Sequence, residues 1–183
     1  EGQQWDVDFE NRDDVTIPQY LKMIEYKTAV LVAAAMKMGA IIAGTSVENG
    51  EAIYDFGLNL GIAFQLQDDY LDAFGNPETF GKQVGGDIIE NKKTYLYLKT
   101  LQFATPEEKE QLLHLYSIQP TDNSEKINSV KEIFNHTGAS KVTQEAIKEY
   151  TFKAFETLEK LNIGQDKKAV LKAFGENLMG RKV

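Results

Sequence analysis

The stretch GIAFQLQDDYLDAFG, residues 61–75, decides how this chain is read. Its apolar residues recur at spacings of three and four, the period of an amphipathic helix. On such a helix Gln65, Asp68, Asp69 and Asp72 fall at i, i+3, i+4 and i+7, so all four share one face within two turns. Like charges on one stripe repel. A sequence tolerates that repulsion where the stripe is solvated or where cations sit in front of it. The flanking residues LGIAF and YL are small and apolar, so the helix is expected to be buried around its carboxylates, where unpaired charge is costly. Hard oxygen ligands without a neighbouring histidine or cysteine suit Mg2+, which commonly bridges one or two carboxylates to substrate phosphates. The implied ligand is a phosphate or diphosphate.

Outward from this stretch the same three-and-four spacing recurs almost everywhere, and no alternating strand with a hairpin turn is found. The fold class expected is all-α, a helical bundle forming a single domain over residues 1–183. With 183 residues and 42% hydrophobic content, the chain is long enough for one real core. Helices are expected over 17–44, 48–74, 91–103, 106–116, 124–137, 140–162 and 166–180, with a polar Gly-rich loop over 75–90. The motifs TIPQ (16–19) and TPEE (105–108) each read as a capping box, with Pro106 at the first helical position. The small-residue stripe AVLVAAAM, from Ala29, is read as helix packing, and Phe152 and Phe155 as core.

The net charge of −8 repels nucleic acid and anionic lipid, so neither is expected as a partner. Any anionic substrate must then be met by local cations. The sequence has no cysteine, and its only histidines are His114 and His136, which argues against a structural zinc site. Neither histidine follows a glutamate by three residues, as a di-iron bundle needs. The longest apolar run, residues 28–44, carries Lys37 and falls short of a membrane span, so no membrane span and a cytoplasmic location are expected. The opening EGQQWDVDFE has neither an initiator Met nor a signal peptide, and is expected to begin part-way through a longer protein.

Lysines occur where an anion could use them: Lys27 on the preceding helix, Lys82 in FGKQVGGD, and Lys92 and Lys93 in ENKKTY. Lysine serves phosphate as a point charge, and the glycines around Lys82 permit close backbone approach.

Taken in order, KTAVLVAAA (27–35), GIAFQLQDDYLD (61–72), FGKQVGGDIIENKKT (80–94) and TGASKVTQEAIKEYTFKAFETLEKL (137–161) resemble the second half of a trans-type isoprenyl diphosphate synthase of the polyprenyl synthetase family. The resemblance implies an isoprenoid synthase-like bundle around a central cavity, here without its N-terminal helices, and a homodimer. It implies a prenyltransferase that condenses isopentenyl diphosphate with an allylic diphosphate, with Mg2+ as cofactor. Asp68 would bind Mg2+ directly, and Asp69 and Asp72 partly through metal-bound water. Lys27, Lys82 and Lys92 would hold the allylic diphosphate, while Thr28 and Gln65 face the reacting carbon together with Lys27. Asp87 would stand behind the metal ligands. Phe64 would pack near the substrate hydrocarbon, with Gln3 and Asp6 near the same cavity, and Arg181 and Lys182 could fold over the second diphosphate.

The family's first aspartate-rich motif is expected upstream of EGQQWD. Asp13 and Asp14 in NRDDVT do not match it, and the arginines that follow that motif are absent, since Arg12 and Arg181 are the only two. This chain is therefore expected to be inactive alone. Two alternatives stand beside the synthase: a non-catalytic partner subunit of a heteromeric synthase, and a class I terpene cyclase. The cyclase's second metal motif, N/D-x-x-S/T-x-x-x-E, does not occur after the lysine loop, and the intact aspartates speak against the silent subunit. Product chain length stays open between farnesyl, geranylgeranyl and longer chains.

Overall fold

The computed structural model describes residues 1–76 and 84–180. Its helices are α1 (Gly2–Glu10), α2 (Ile17–Ile24), α3 (Val30–Ile42), α4 (Val47–Phe74), α5 (Gly86–Ile89), α6 (Tyr95–Phe103), α7 (Pro106–Leu115), α8 (Ser124–His136), α9 (Ala139–Lys160) and α10 (Gln165–Met179). A π-helical turn, Glu25–Ala29, joins α2 to α3. The described residues contain no strand, and none of their helices is long and apolar enough to cross a membrane. The all-α expectation is met.

Both capping boxes form. Thr16 and Gln19 close the start of α2, and Thr105 and Glu108 that of α7, each satisfying two backbone donors reciprocally. Three expectations are corrected. The single helix anticipated over 17–44 runs without interruption from residue 17 to 42 but contains the π turn, a feature that leaves no hydrophobic-period signature. Helix α1 was not anticipated, because its N-cap, Glu1, makes no side-chain cap and the helix is held by packing instead. The loop anticipated over 75–90 contains α5, while residues 77–83 lie outside the described residues.

The 28-residue α4 is the axis of the bundle, packing most extensively on α9 and next on α3. Its approach to α3 depends on glycine. A Cβ added at Gly57 would lie 2.8 Å from the Ala33 Cα, and one at Gly61 would lie 2.6 Å from the Ala29 Cα. Small residues four apart on both helices thus let the two backbones touch. This accounts for the buried side of the small-residue stripe. Its other side is open at Leu31, and Met38 and Ile42 further along α3 are exposed as well. Phe155 packs on Phe56 as expected of a core residue, but Phe152 is 68% exposed, which corrects its reading as core.

Two apolar clusters result. The larger gathers Phe9, Tyr20, Leu66, Leu96 and Phe134 around the C-terminal half of α4, and the smaller gathers Ile53, Phe56, Leu60 and Leu158 around its N-terminal half. At the far end, where α3 finishes and α4 and α10 begin, lies an apolar cavity of about 690 Å3 bordered by Met36, Ile53, Ile163 and Leu171.

Candidate functional site

The aspartate face of α4 opens on a polar cavity of about 250 Å3. Six elements converge there. Helix α1 contributes Asp6 and Phe9, α2 contributes Tyr20 and Met23, and the π turn contributes Lys27. Helix α4 supplies Gln65, Asp68, Asp69 and Asp72; α5 supplies Asp87, and the turn after it Glu90, Lys92 and Lys93.

The π turn aims two side chains that a regular helix would place differently. From it, Lys27 Nζ donates to Asp6 Oδ2 at 2.7 Å, and Thr28 Oγ1 donates to Gln65 Oε1 at 2.8 Å. A π turn at a functional position is a recurrent use of that strained geometry. Helix α1 lies directly against it: a Cβ added at Gly2 would come within 2.2 Å of the Lys27 backbone nitrogen. Contact at Gly2, with Asp6 and Phe9 following at i+4 and i+7, turns the neighbouring Gln3 outward. Gln3 is exposed and does not line the cavity.

Gln65 passes the chain of hydrogen bonds onward, its Nε2 donating to Asp69 Oδ1 at 2.8 Å, while Tyr20 Oη donates to Asp69 Oδ2 at 2.5 Å. Both oxygens of Asp69 thus accept bonds from protein groups. Asp72 is fixed at the end of the helix, where its Oδ2 accepts from the Asp87 amide at 2.9 Å and its carbonyl accepts from the Gly85 amide at 2.6 Å. Asp68 lines the cavity and is half-buried. Beyond α5, Lys92 Nζ sits 3.1 Å from Asp87 Oδ1 and 2.9 Å from Glu90 Oε2.

Charge in this cavity is unbalanced. Among its described residues the carboxylates of Asp6, Asp68, Asp69, Asp72, Asp87 and Glu90 face only the ammonium groups of Lys27, Lys92 and Lys93. The titration of the acids reflects it. Burial, reinforced by the charge of Asp87, pushes Asp69 up to about 8 and Asp72 up to about 6. Burial also raises Asp87, although Lys92 opposes it. At Lys92 burial works against the charge, yet Glu90 and Asp87 together hold the ammonium above the ordinary lysine range. An anion entering this cavity would meet net negative walls unless cations came with it.

The donors on offer are all oxygens, which suits a hard divalent ion. Among the described residues no three acidic or histidine side chains converge to hold an ion by themselves. Two further observations agree with partial coordination: Asp69 is committed to Tyr20 and Gln65, and Asp72 to the Asp87 amide. The residues therefore fit a Mg2+ ion held by one or two carboxylates, with water and phosphate completing its shell.

Of the residues singled out from sequence, Asp6, Lys27, Gln65, Asp68, Asp69, Asp72, Asp87 and Lys92 meet at this cavity, and Thr28 stands behind Gln65. Phe64 is half-buried and does not line it. Lys82, Arg181 and Lys182 lie outside the described residues. Tyr20 was missed as a site residue. Tyr20 reads in sequence as one more core aromatic, and its bond to Asp69 spans 49 positions. Lys93 is named in the lysine pair, yet nothing in its spacing shows that it is buried over the Tyr97 ring, 5.0 Å from the centroid, with Asp13 no nearer than 3.9 Å.

Comparison with known proteins gives this site its context. The family model described as Polyprenyl synthetase matches residues 1–134. The short chain isoprenyl diphosphate synthase of Methanothermobacter thermautotrophicus is 39% identical over 170 residues, which are 93% of this chain and 51% of that protein. A crystal structure of a geranylgeranyl pyrophosphate synthase superposes with a TM-score of 0.92 at 52% identity, covering 100% of this chain and 57% of that one. The geranylgeranyl pyrophosphate synthase from Corynebacterium glutamicum, complexed with isoprenyl diphosphate and magnesium, gives a TM-score of 0.89 at 30% identity, covering 99% of this chain and 51% of that one. This chain spans about half the length of the curated protein it matches over 170 residues. With an all-helical bundle, an aspartate face opening on a polar cavity and a family model that covers most of its length, the chain belongs to the polyprenyl synthetase family.

Proposed function

We propose that the chain is the diphosphate-activating part of an isoprenyl diphosphate synthase, a trans-prenyltransferase that joins isopentenyl diphosphate to an allylic diphosphate. One observation carries this reading: an acidic helix face and the ammonium groups of Lys27 and Lys92 enclose a single polar cavity. Mg2+, when bound, would neutralise the diphosphate and stabilise the charge that builds on it as the allylic C–O bond breaks. Asp68 and Asp72 are the groups of this chain that would hold it, with Asp69 steadied by Tyr20 and Gln65 so as to act through water.

Lys27 and Lys92, released from Asp6, Asp87 and Glu90, would take diphosphate oxygens, and Lys82 would join them from the preceding loop. The Thr28 hydroxyl and the Gln65 amide oxygen would face the allylic carbon as positive charge develops there. The double bond of isopentenyl diphosphate then attacks that carbon, and the proton lost passes to the departing diphosphate. The apolar cluster behind α4 would help to keep water from the cation. The remainder of the site, including the family's first aspartate-rich motif and the wall that sets product length, would come from outside residues 1–183, within one domain and in a homodimer. The family match favours this synthase reading over a terpene cyclase.

The test is elongation of an allylic diphosphate with isopentenyl diphosphate by the full protein that contains this chain. Turnover is expected with Mg2+ and not with EDTA, and Asp68→Ala is expected to remove it. Elongation left undiminished by either treatment would sink the proposal.

A further inference from the structure

Lys126, in the first turn of α8, is 2% exposed. Its ammonium donates to the side-chain oxygen of Asn91 at 2.7 Å and to the carbonyl of Ile118 at 2.9 Å, and both acceptors are neutral. Burying an ammonium against neutral oxygens is costly, and the fold gains no ion pair from these two bonds. What it gains is a fixed position for Asn91.

Asn91 is the one described non-glycine residue with positive φ, at 57°. Asparagine tolerates this left-handed conformation better than most residues, but at some cost. The chain needs the reversal there because α5 ends at Ile89 and the next residues must turn back to the cavity. The neighbouring bonds show the reversal: the Asn91 amide donates to the Ile88 carbonyl at 3.2 Å, and the Lys92 amide to the Asp87 carbonyl at 2.9 Å. On either side of Asn91 stand Glu90 and Lys92, and Lys93 follows; all three line the cavity. Lys126 itself does not.

The same turn of α8 also grips the other end of this segment. The Ile127 side chain lies where a Cβ on Gly85 would fall, at 2.8 Å, and Gly85 too is left-handed, with φ of 89°. Gly85 and Asn91 bracket α5, so residues 126 and 127 hold both of the reversals between which Asp87 is presented.

We propose that Lys126 is a positioning residue: by fixing Asn91 from behind the cavity, it sets the place of Lys92 and Lys93 and hence the affinity for diphosphate. The inference rests on the reading that this cavity takes a diphosphate. A purely structural lysine would alter the melting temperature and leave the affinity of the folded protein untouched.

The experiment is calorimetric titration of inorganic diphosphate in the presence of Mg2+, with circular dichroism and thermal melts on each variant. Lys126→Met keeps the aliphatic stem and removes the ammonium. Asn91→Gly keeps the left-handed turn and removes only the acceptor. Each is expected to weaken diphosphate binding about tenfold with the helical signal retained. The double variant is expected to bind no more weakly than either alone, because both remove one shared contact, and Lys126→Arg is expected to recover part of the loss. Binding by folded Lys126→Met or by Asn91→Gly within about twofold of the parent would overturn the inference, as would losses that multiply in the double variant. If Lys126→Met does not fold, Asn91→Gly decides. A parent protein that binds no diphosphate removes the proposed function itself, and is told apart from failure of the positioning role by the missing heat of the unmutated protein.

Discussion

The two ends of α4 are built on the same helix and treated in opposite ways. At its C-terminal end, residues from five other elements close on the aspartate face, and Asp69, Asp72, Gln65 and Lys92 each have a named hydrogen-bond or ionic partner. At its N-terminal end the cavity between α3 and α10 is apolar and wide, and Ile42, Val47 and Val170 around it are exposed. The first end is specified by directional bonds, and those from Tyr20, Lys27, Thr28 and the Asp87 amide join separate elements of the chain. The second rests mainly on apolar area, with Asn49 of α4 exchanging two 3.2 Å bonds with the Asn162 backbone and Lys37 pairing with Glu51, and its surface stays open. The polar end is therefore expected to be sensitive to single-atom changes, and the open apolar end insensitive.

The sharpest test of this contrast is Asp68→Ala in the full protein, expected to lower Mg2+-dependent prenyl elongation by about 10²-fold or more, as the loss of a charge-stabilising group at a reacting site does. Stability should hardly move, so a melt with normal midpoint and absent turnover is the result to look for. Next in size is Gly61→Leu, which forces a side chain into the Ala29 backbone and is expected to cost about 3 kcal/mol in urea unfolding. A loss below about 1 kcal/mol would show that α3 slides easily and that the close approach does not fix the π turn.

Tyr20→Phe is expected to cost about 1–2 kcal/mol above pH 8, where the half-buried Asp69 carboxylate would be short of a donor. The expected loss is smaller at pH 5, with Asp69 protonated. Titration of the metal-free protein supplies a related measure. Because the folded-state values of Asp69 and Asp72 lie above the ordinary 3.8, at about 8 and about 6, their protonated forms favour the fold. That contribution is fully present below pH 3.8 and is withdrawn as pH rises through 6 and then 8. Urea midpoints in EDTA should fall over this window, and Asp69→Asn should flatten its upper part. A flat profile for the parent protein would mean that the cavity is wetter than its burial suggests. Smallest is Ile42→Ser at the open end, where an 87% exposed side chain is removed. Its effect on unfolding is expected to stay within about 0.5 kcal/mol.

How much of this was legible in the sequence varies with the range of the interaction. The two capping boxes are local, closed by residues three apart, and they appear where TIPQ and TPEE place them. The stripe Gln65, Asp68, Asp69 and Asp72 is likewise a matter of helical period, and all four line one cavity. The bonds that distinguish these acids from one another are not local. Asp69 is closed off by Tyr20, 49 residues away, and Asp72 is tied to the amide of Asp87, 15 residues on. Nothing in residues 61–75 says which aspartate will be committed in this way. Asp6 could be placed near the cavity only through the family resemblance, because α1 carries no cap to announce it and is held by packing on the π turn.

The sequence by itself determined an all-helical chain, the helix starts with reciprocal caps, and a face of oxygen ligands paired with lysines that points to a metal-bound diphosphate. These follow from helical period and from the chemistry of each side chain, and both survive without knowledge of the partner. Only the tertiary structure decided the π turn that redirects Lys27 and Thr28, the glycine contacts that let α3 reach α4, and the buried Lys126 behind Asn91. Each of these depends on which backbone lies within a few ångströms, and that is fixed when distant segments pack together.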